Sequence, residues 1–170
     1  MWLNVLKKLL SLLLVLSLAA CAGFQLRGAD SALLTPLKGQ QVLIQGLDSK
    51  ISFGSKLSSA LEQAGAGVAT DSPATVQLTI TYLKEDKIAT AYSAARQVRE
   101  FNHFLDLRFS AEAKANPQLK PLESSIRVER NQIYDSRYVL GVSEEERSIQ
   151  AELETEAARL LTLRLAALMP

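Results

Sequence analysis

The sequence predicts an α+β fold in the order β-α-β-β-β-α: a four-stranded mixed sheet with two helices packed on one face. Three observations carry this prediction. Apolar and polar residues alternate with period two through three long segments after residue 75. Two other stretches, one before these segments and one at the C-terminus, place apolar residues at helical spacing. Each helix then has one stripe to bury, and the sheet offers one apolar face to receive both.

The first strand is Gln41 to Gly46, apolar on both faces at Val42, Leu43 and Ile44, which suits a strand inside the sheet. Asp48 or Ser52 caps the first helix, whose stripe is Phe53, Leu57, Ala60, Leu61 and Ala64, and Gly65 ends it. The second strand sets Val76, Leu78, Ile80 and Tyr82 against Thr75, Gln77, Thr79 and Thr81. Lys84 to Lys87 interrupts it, and Ile88, Thr90 and Tyr92 resume it. A turn at Ser93 to Arg96 leads to the third strand. One face there is Phe101, His103, Leu105, Leu107, Phe109 and Ala111; the other is polar except for Phe104. Asn116-Pro117 and Pro121 turn the chain again. The fourth strand alternates Leu122, Ile126 and Val128 with Glu123, Arg127 and Glu129, then runs through Ile133 and Tyr134.

The last helix carries the stripe Ile149, Leu153, Ala157, Leu160, Leu161, Leu165 and Leu168. Ser143 and Glu146 read as a capping box, with Glu144 and Glu145 in the positive first turn. The first strand and helix feed a right-handed crossover, and the next two connections are short enough for antiparallel hairpins. No layer remains to cover the sheet face of Thr, Gln, Asn, Asp, Arg, Ser and Glu.

The N-terminus reads as an export signal over residues 1–20. Lys7 and Lys8 give a basic start, and Leu9 to Leu18 is an apolar run too short to span a membrane. Leu18-Ala19-Ala20-Cys21 follows with the pattern of a bacterial lipobox. Cys21, the only cysteine in the chain, is the thiol that receives a diacylglycerol, with palmitate as a third chain. Ala22 rather than Asp after it points to the outer membrane. Each buried methylene contributes about 0.8 kcal/mol, so two or three chains anchor durably. Residues 21–40 form a lipidated leader, and residues 41–170 a single α+β domain.

The 170 residues are 48% apolar and 22% charged, with a net charge of +1, which argues against a disordered chain or a nucleic-acid binder. No HExxH, GxSxG, CxxC or Gly-rich phosphate loop occurs. His103 reads as a sheet-margin histidine bonded to backbone. Glu144 to Glu146 read as a helix-start cluster, since consecutive residues on a helix point apart. The expectation is a non-enzyme with no cofactor, no metal and no catalytic residue. Arg96 and Arg99 are the candidate binding residues. They flank the turn between two long strands with Tyr92, Phe101 and Phe104 close by, a pattern that suits an anionic glycolipid head group, the arginines on its phosphates and the rings on its acyl or sugar surface.

Cys21 followed by Gly23-Phe24-Gln25-Leu26-Arg27-Gly28 resembles the start of the LptE family of lipopolysaccharide-assembly lipoproteins. Gln97-Val98-Arg99-Glu100-Phe101 at a strand start is similar too, as is Ile133-Tyr134-Asp135 leading through Val139-Leu140 to the last helix. The element order agrees, so the resemblance spans nearly the whole mature chain. It implies a non-catalytic outer-membrane lipoprotein of a Gram-negative cell, tethered through Cys21. Its domain would sit on the periplasmic side, as a plug inside an LptD-like β-barrel. There it would assist barrel assembly and lipopolysaccharide insertion at the surface. Some relatives carry a basic residue before the last helix. Here Leu140-Gly141-Val142-Ser143 has no cation, so the resemblance brings no lipid contact to that stretch. The alternative from another class is a free-standing periplasmic lipoprotein that binds a lipid or small ligand.

Overall fold

The computed structural model describes residues 33–47, 52–70, 73–114, 116–134 and 139–168. The export signal, Cys21 and the Asp48 cap lie outside these residues. A 3-10 turn at Thr35–Leu37 buries Leu37 and leads into β1 (Gln41–Gln45). Helix α1 (Ser52–Gln63) buries Phe53, Leu57 and Leu61, one per turn. Its end is fixed by Gly65, at φ +83°. The Gly65 N–H donates to Glu62 and the Ala66 N–H to Leu61, so the last carbonyls find donors. The remaining elements are β2 (Gly67–Ala69), β3 (Val76–Tyr92), β4 (Val98–Ala113), β5 (Leu122–Ile133) and α2 (Val139–Ala166).

The sheet has five strands, not four, in the order β2-β1-β3-β4-β5. The additional strand is β2, three residues long and therefore too short for alternation to reveal. β1 lies inside the sheet, parallel to β2 and β3. β3, β4 and β5 form antiparallel hairpins, as their short connections predict. The core unites Leu78, Leu105, Leu107, Phe109, Ile126 and Val128 of the sheet with Phe53 and Leu57 of α1 and Leu153, Leu161 and Leu165 of α2. Each fully buried leucine contributes about 1.5–3 kcal/mol.

Two expectations are corrected. Ile80 pairs with Phe109 and Tyr82 with Arg108, which leaves Thr81 as an unpaired β-bulge. The bulge reverses the faces of β3. Before it, Val76, Leu78 and Ile80 face the core; after it, Leu83 does. Tyr82, Ile88 and Tyr92, expected in the apolar register, are 39%, 50% and 62% exposed. Lys84 to Lys87 does not break the strand, which runs through it. Second, α2 begins at Val139, four residues before Ser143. Leu140 to Ser143 are therefore helical, and the capping box does not form. Glu146 pairs instead with Lys87 of β3, and Glu144 with Arg147 one turn on.

Candidate functional site

The outward face of the sheet carries a connected set of polar side chains. Gln77 Nε2 donates to Gln45 Oε1 at 2.9 Å, across the β1–β3 pair. Arg108 lies over the Tyr82 ring at 5.1 Å, a contact that exists because the bulge turns Tyr82 outward. Arg127 is the centre of the set. Its Nη1 donates to Asp106 Oδ2 at 2.8 Å, its Nε to Glu129, and its guanidinium stacks 4.1 Å above the ring of Phe104. That stacking accounts for Phe104, an apolar residue on the polar face that is 8% exposed. Asn102 Nδ2 donates to Asn131 Oδ1 at 2.7 Å. Lys84 and Asp86 pair at 2.8 Å. The Arg127 bond holds the Glu129 carboxyl below its ordinary range, and the Lys84 bond does the same for Asp86. Such a face offers matched donors and acceptors to a polar, wet surface.

At the far end of the long hairpin, Ser93 and Gln97 close the turn. The Ser93 N–H donates to the Gln97 carbonyl at 2.8 Å and the Arg96 N–H to the Ser93 carbonyl at 2.9 Å. Arg96 takes φ +59°, a left-handed conformation that side-chain-bearing residues adopt at a cost. Arg96 and Arg99 are both exposed, and among the described residues neither forms an ion pair. Tyr92, paired with Val98, and Ile133, paired with Glu100, are 62% and 84% exposed at this same end. Phe101 and Tyr134 meet edge to face at 5.4 Å, with Lys87 5.0 Å from the Phe101 ring. The structure thus brings Arg96, Arg99 and Tyr92 to one end. Phe104, expected beside them, sits under Arg127 instead.

A polar chain, buried at His103 and Gln132 and exposed at Glu145, underlies the start of α2. His103 Nε2 lies 2.9 Å from Gln132 Oε1, and Gln132 Nε2 donates to Glu145 Oε2 at 3.0 Å. The partner of His103 is therefore a side chain rather than backbone. Gln132, 1% exposed, is the residue that sequence reasoning misses, because the strand's end reads as an apolar run through Ile133 and Tyr134. The even parity of Leu122, Ile126 and Val128 was the available signal. Further along α2, Ser52 Oγ donates to the buried Glu154 at 2.7 Å, which ties α1 to α2. Gln150 donates to Glu85 at 2.6 Å. Burial first, and the Glu154 charge second, push the Glu85 carboxyl up from its ordinary value. No three His, Cys, Asp or Glu residues among those described are arranged to hold a metal ion.

Residues 40–165 match the model of a family described as LptE, lipopolysaccharide-assembly. The chain belongs to the LptE family. The match runs from β1 to the last turn of α2, so it includes both the outward sheet face and the hairpin end. LptE proteins are envelope lipoproteins of lipopolysaccharide assembly, and the family is non-catalytic. Solved structures share the fold. Uncharacterized lipoprotein B from Nitrosomonas europaea superposes with a TM-score of 0.66 at 19% identity, covering 85% of this chain and 91% of its own. Rare lipoprotein B from Shewanella oneidensis gives 0.65 at 15% identity, covering 75% and 94%. A minor lipoprotein from Acinetobacter baumannii gives 0.62 at 18% identity, covering 78% and 94%. No curated protein matches the chain.

Proposed function

We propose that this LptE-family chain is an outer-membrane lipoprotein, anchored through Cys21, that plugs the lumen of an LptD-like β-barrel. In that place it supports barrel assembly and takes part in inserting lipopolysaccharide at the cell surface. The outward sheet face is the observation that carries this reading. It is polar, internally paired around Arg127 and uncovered by any layer of the described chain. The interior of a large barrel is polar and water-filled, so such a face can meet it without stranding apolar surface. The exposed Arg96 and Arg99, with Tyr92 beside them, are assigned to the lipid: guanidinium forks for lipid A phosphates, the ring for the adjoining acyl or sugar surface.

The test is recovery of the lipidated chain from detergent-solubilised outer membranes. A stoichiometric large barrel as partner is the expected result. Recovery as a monomer with a bound lipid or small ligand would replace the plug with a free-standing binding lipoprotein. Recovery from inner membranes would overturn the location.

A further inference from the structure

The three-stranded part of the sheet extends past β1, which pairs only as far as Thr79, and so it has two long free edges. A free edge is a row of unpaired N–H and C=O groups that invites another strand. Which groups face outward follows from one bond. The Tyr134 N–H donates to the Arg99 carbonyl at 2.8 Å across the β4–β5 ladder. By strand alternation, even residues of β5 bond to β4, and odd residues turn their backbone groups away from the sheet.

Two of those outward carbonyls are occupied by arginines of the chain itself. Arg130 Nη1 donates to the Glu129 carbonyl at 2.9 Å. Arg164, near the end of α2, donates to the Ser125 carbonyl and to Ser124 Oγ. The other edges are blunted differently. β2 has three residues, and on β3 the Lys87 N–H is held by Asp86 Oδ1 at 2.8 Å.

The sequence of β5 is also complementary to itself. An antiparallel pairing of two copies centred on Val128 sets Arg127 opposite Glu129 of the second copy, and the reverse, on the outward face. In that register the Arg127–Glu129 rungs need the Glu129 carbonyl, and the next rung, Ser125 with Asn131, needs the Ser125 carbonyl. These are the two carbonyls that the arginines hold.

We infer that the outer edge of β5 is a strand-pairing surface for a second copy of this chain, and that Arg130 and Arg164 hold it closed. With two of its outward carbonyls held internally, the wild-type edge stays single. Removing both guanidinium groups frees two acceptors in a row whose charges already match a second copy.

Sedimentation of the full lipidated chain in detergent, at less than one chain per micelle, tests this. Wild type should be monomeric across the accessible concentrations. Arg130→Ala with Arg164→Ala should dimerise, with a dissociation constant at least tenfold below that of wild type. Adding Ser125→Pro removes an outward N–H on an edge strand, where proline is tolerated, and should restore the monomer. A double variant with native circular dichroism that stays as monomeric as wild type overturns the inference. So does association that persists with Ser125→Pro, because another surface then makes it. A wild-type dimer would show that the arginines do not close the edge. If the double variant fails to fold, Arg130→Ala alone leaves the Arg164 contact in place and must shift association in the same direction.

Discussion

Leu161→Ala should be among the most damaging single changes in α2, and the structure lets its cost be worked out. Leu161 is fully buried within the core cluster. Three carbons lost at about 0.8 kcal/mol each give about 2.4 kcal/mol of transfer free energy. If the surroundings do not relax, a cavity of about 70 Å³ at roughly 24 cal/mol per Å³ adds about 1.7 kcal/mol. The sum, about 4 kcal/mol, corresponds to a fall of order 10 °C in Tm for a domain of this size. Leu160, one position earlier, is only partly buried, so Leu160→Ala should cost less than half as much. Thr79→Ala, on the outward face of β3, should cost under about 0.5 kcal/mol. Urea melts of the three variants, with unchanged m-values, supply the comparison. Equal losses at Leu161 and Leu160 would refute the orientation of α2, and a loss at Thr79 equal to that at Leu161 would refute the assignment of sheet faces.

Gly46→Ala should cost at least about 2 kcal/mol by the same melts. Gly46 sits at φ +74°, and an added Cβ would lie 2.2 Å from the Ile80 carbonyl oxygen. Glu85→Gln should stabilise the protein at neutral pH and make no difference well below pH 4. The folded carboxyl is raised, so the native state holds the extra proton, and wild-type stability falls as pH rises from the ordinary glutamate value through the raised one. Melts of both proteins across that range check the slope, which the variant should lack. Arg96→Gly should raise stability by roughly 1 kcal/mol by relieving the left-handed backbone, yet weaken binding of labelled lipopolysaccharide. Arg96→Glu with Arg99→Glu should weaken that binding further, and less so in high salt; unchanged binding in a folded protein would remove both from the site. Cys21→Ser should abolish incorporation of a fatty-acid analogue and release the protein from the membrane fraction; label retained on the variant would refute the lipobox.

What was legible in the sequence was whatever a regular period controls. The β4 alternation placed Leu105, Leu107, Phe109 and Ala111 in the core without error, and the α2 stripe placed Leu153, Ala157 and Leu165. Three things escaped. The strand β2 has no period to show in three residues. The α2 start lay hidden because Ser143 and Glu146 satisfy a capping pattern by spacing alone, although the helix already begins four residues earlier. The Thr81 bulge escaped because alternation is read by parity, and one unpaired residue changes parity without changing composition. For the candidate site, Arg96 and Arg99 were readable as hairpin-end cations. Their left-handed turn and the Arg127 cluster were not, since those depend on which residues face each other across strands far apart in sequence.

The bulge has a consequence for how α2 is held. Had the alternation continued, Lys84 and Asp86 would face the helix and Leu83 would face outward. With Thr81 unpaired, Glu85 and Lys87 turn toward α2 instead, where Gln150 and Glu146 meet them. Together with Gln132 and Glu145, these contacts join the first half of α2 to the sheet, and they are hydrogen bonds and ion pairs that solvent can compete for. From Ile149 onward the helix buries leucines and alanines. One helix is therefore fastened in two ways, by polar contacts toward the hairpin end and by core packing toward the other. Local opening costs least where few apolar groups are buried, so the first turns of α2 can part from the sheet without loss of the core. That is also the end of the domain where Tyr92, Arg96 and Arg99 are exposed. The hairpin end can thus adjust while Leu153, Leu161 and Leu165 keep the rest of the fold fixed.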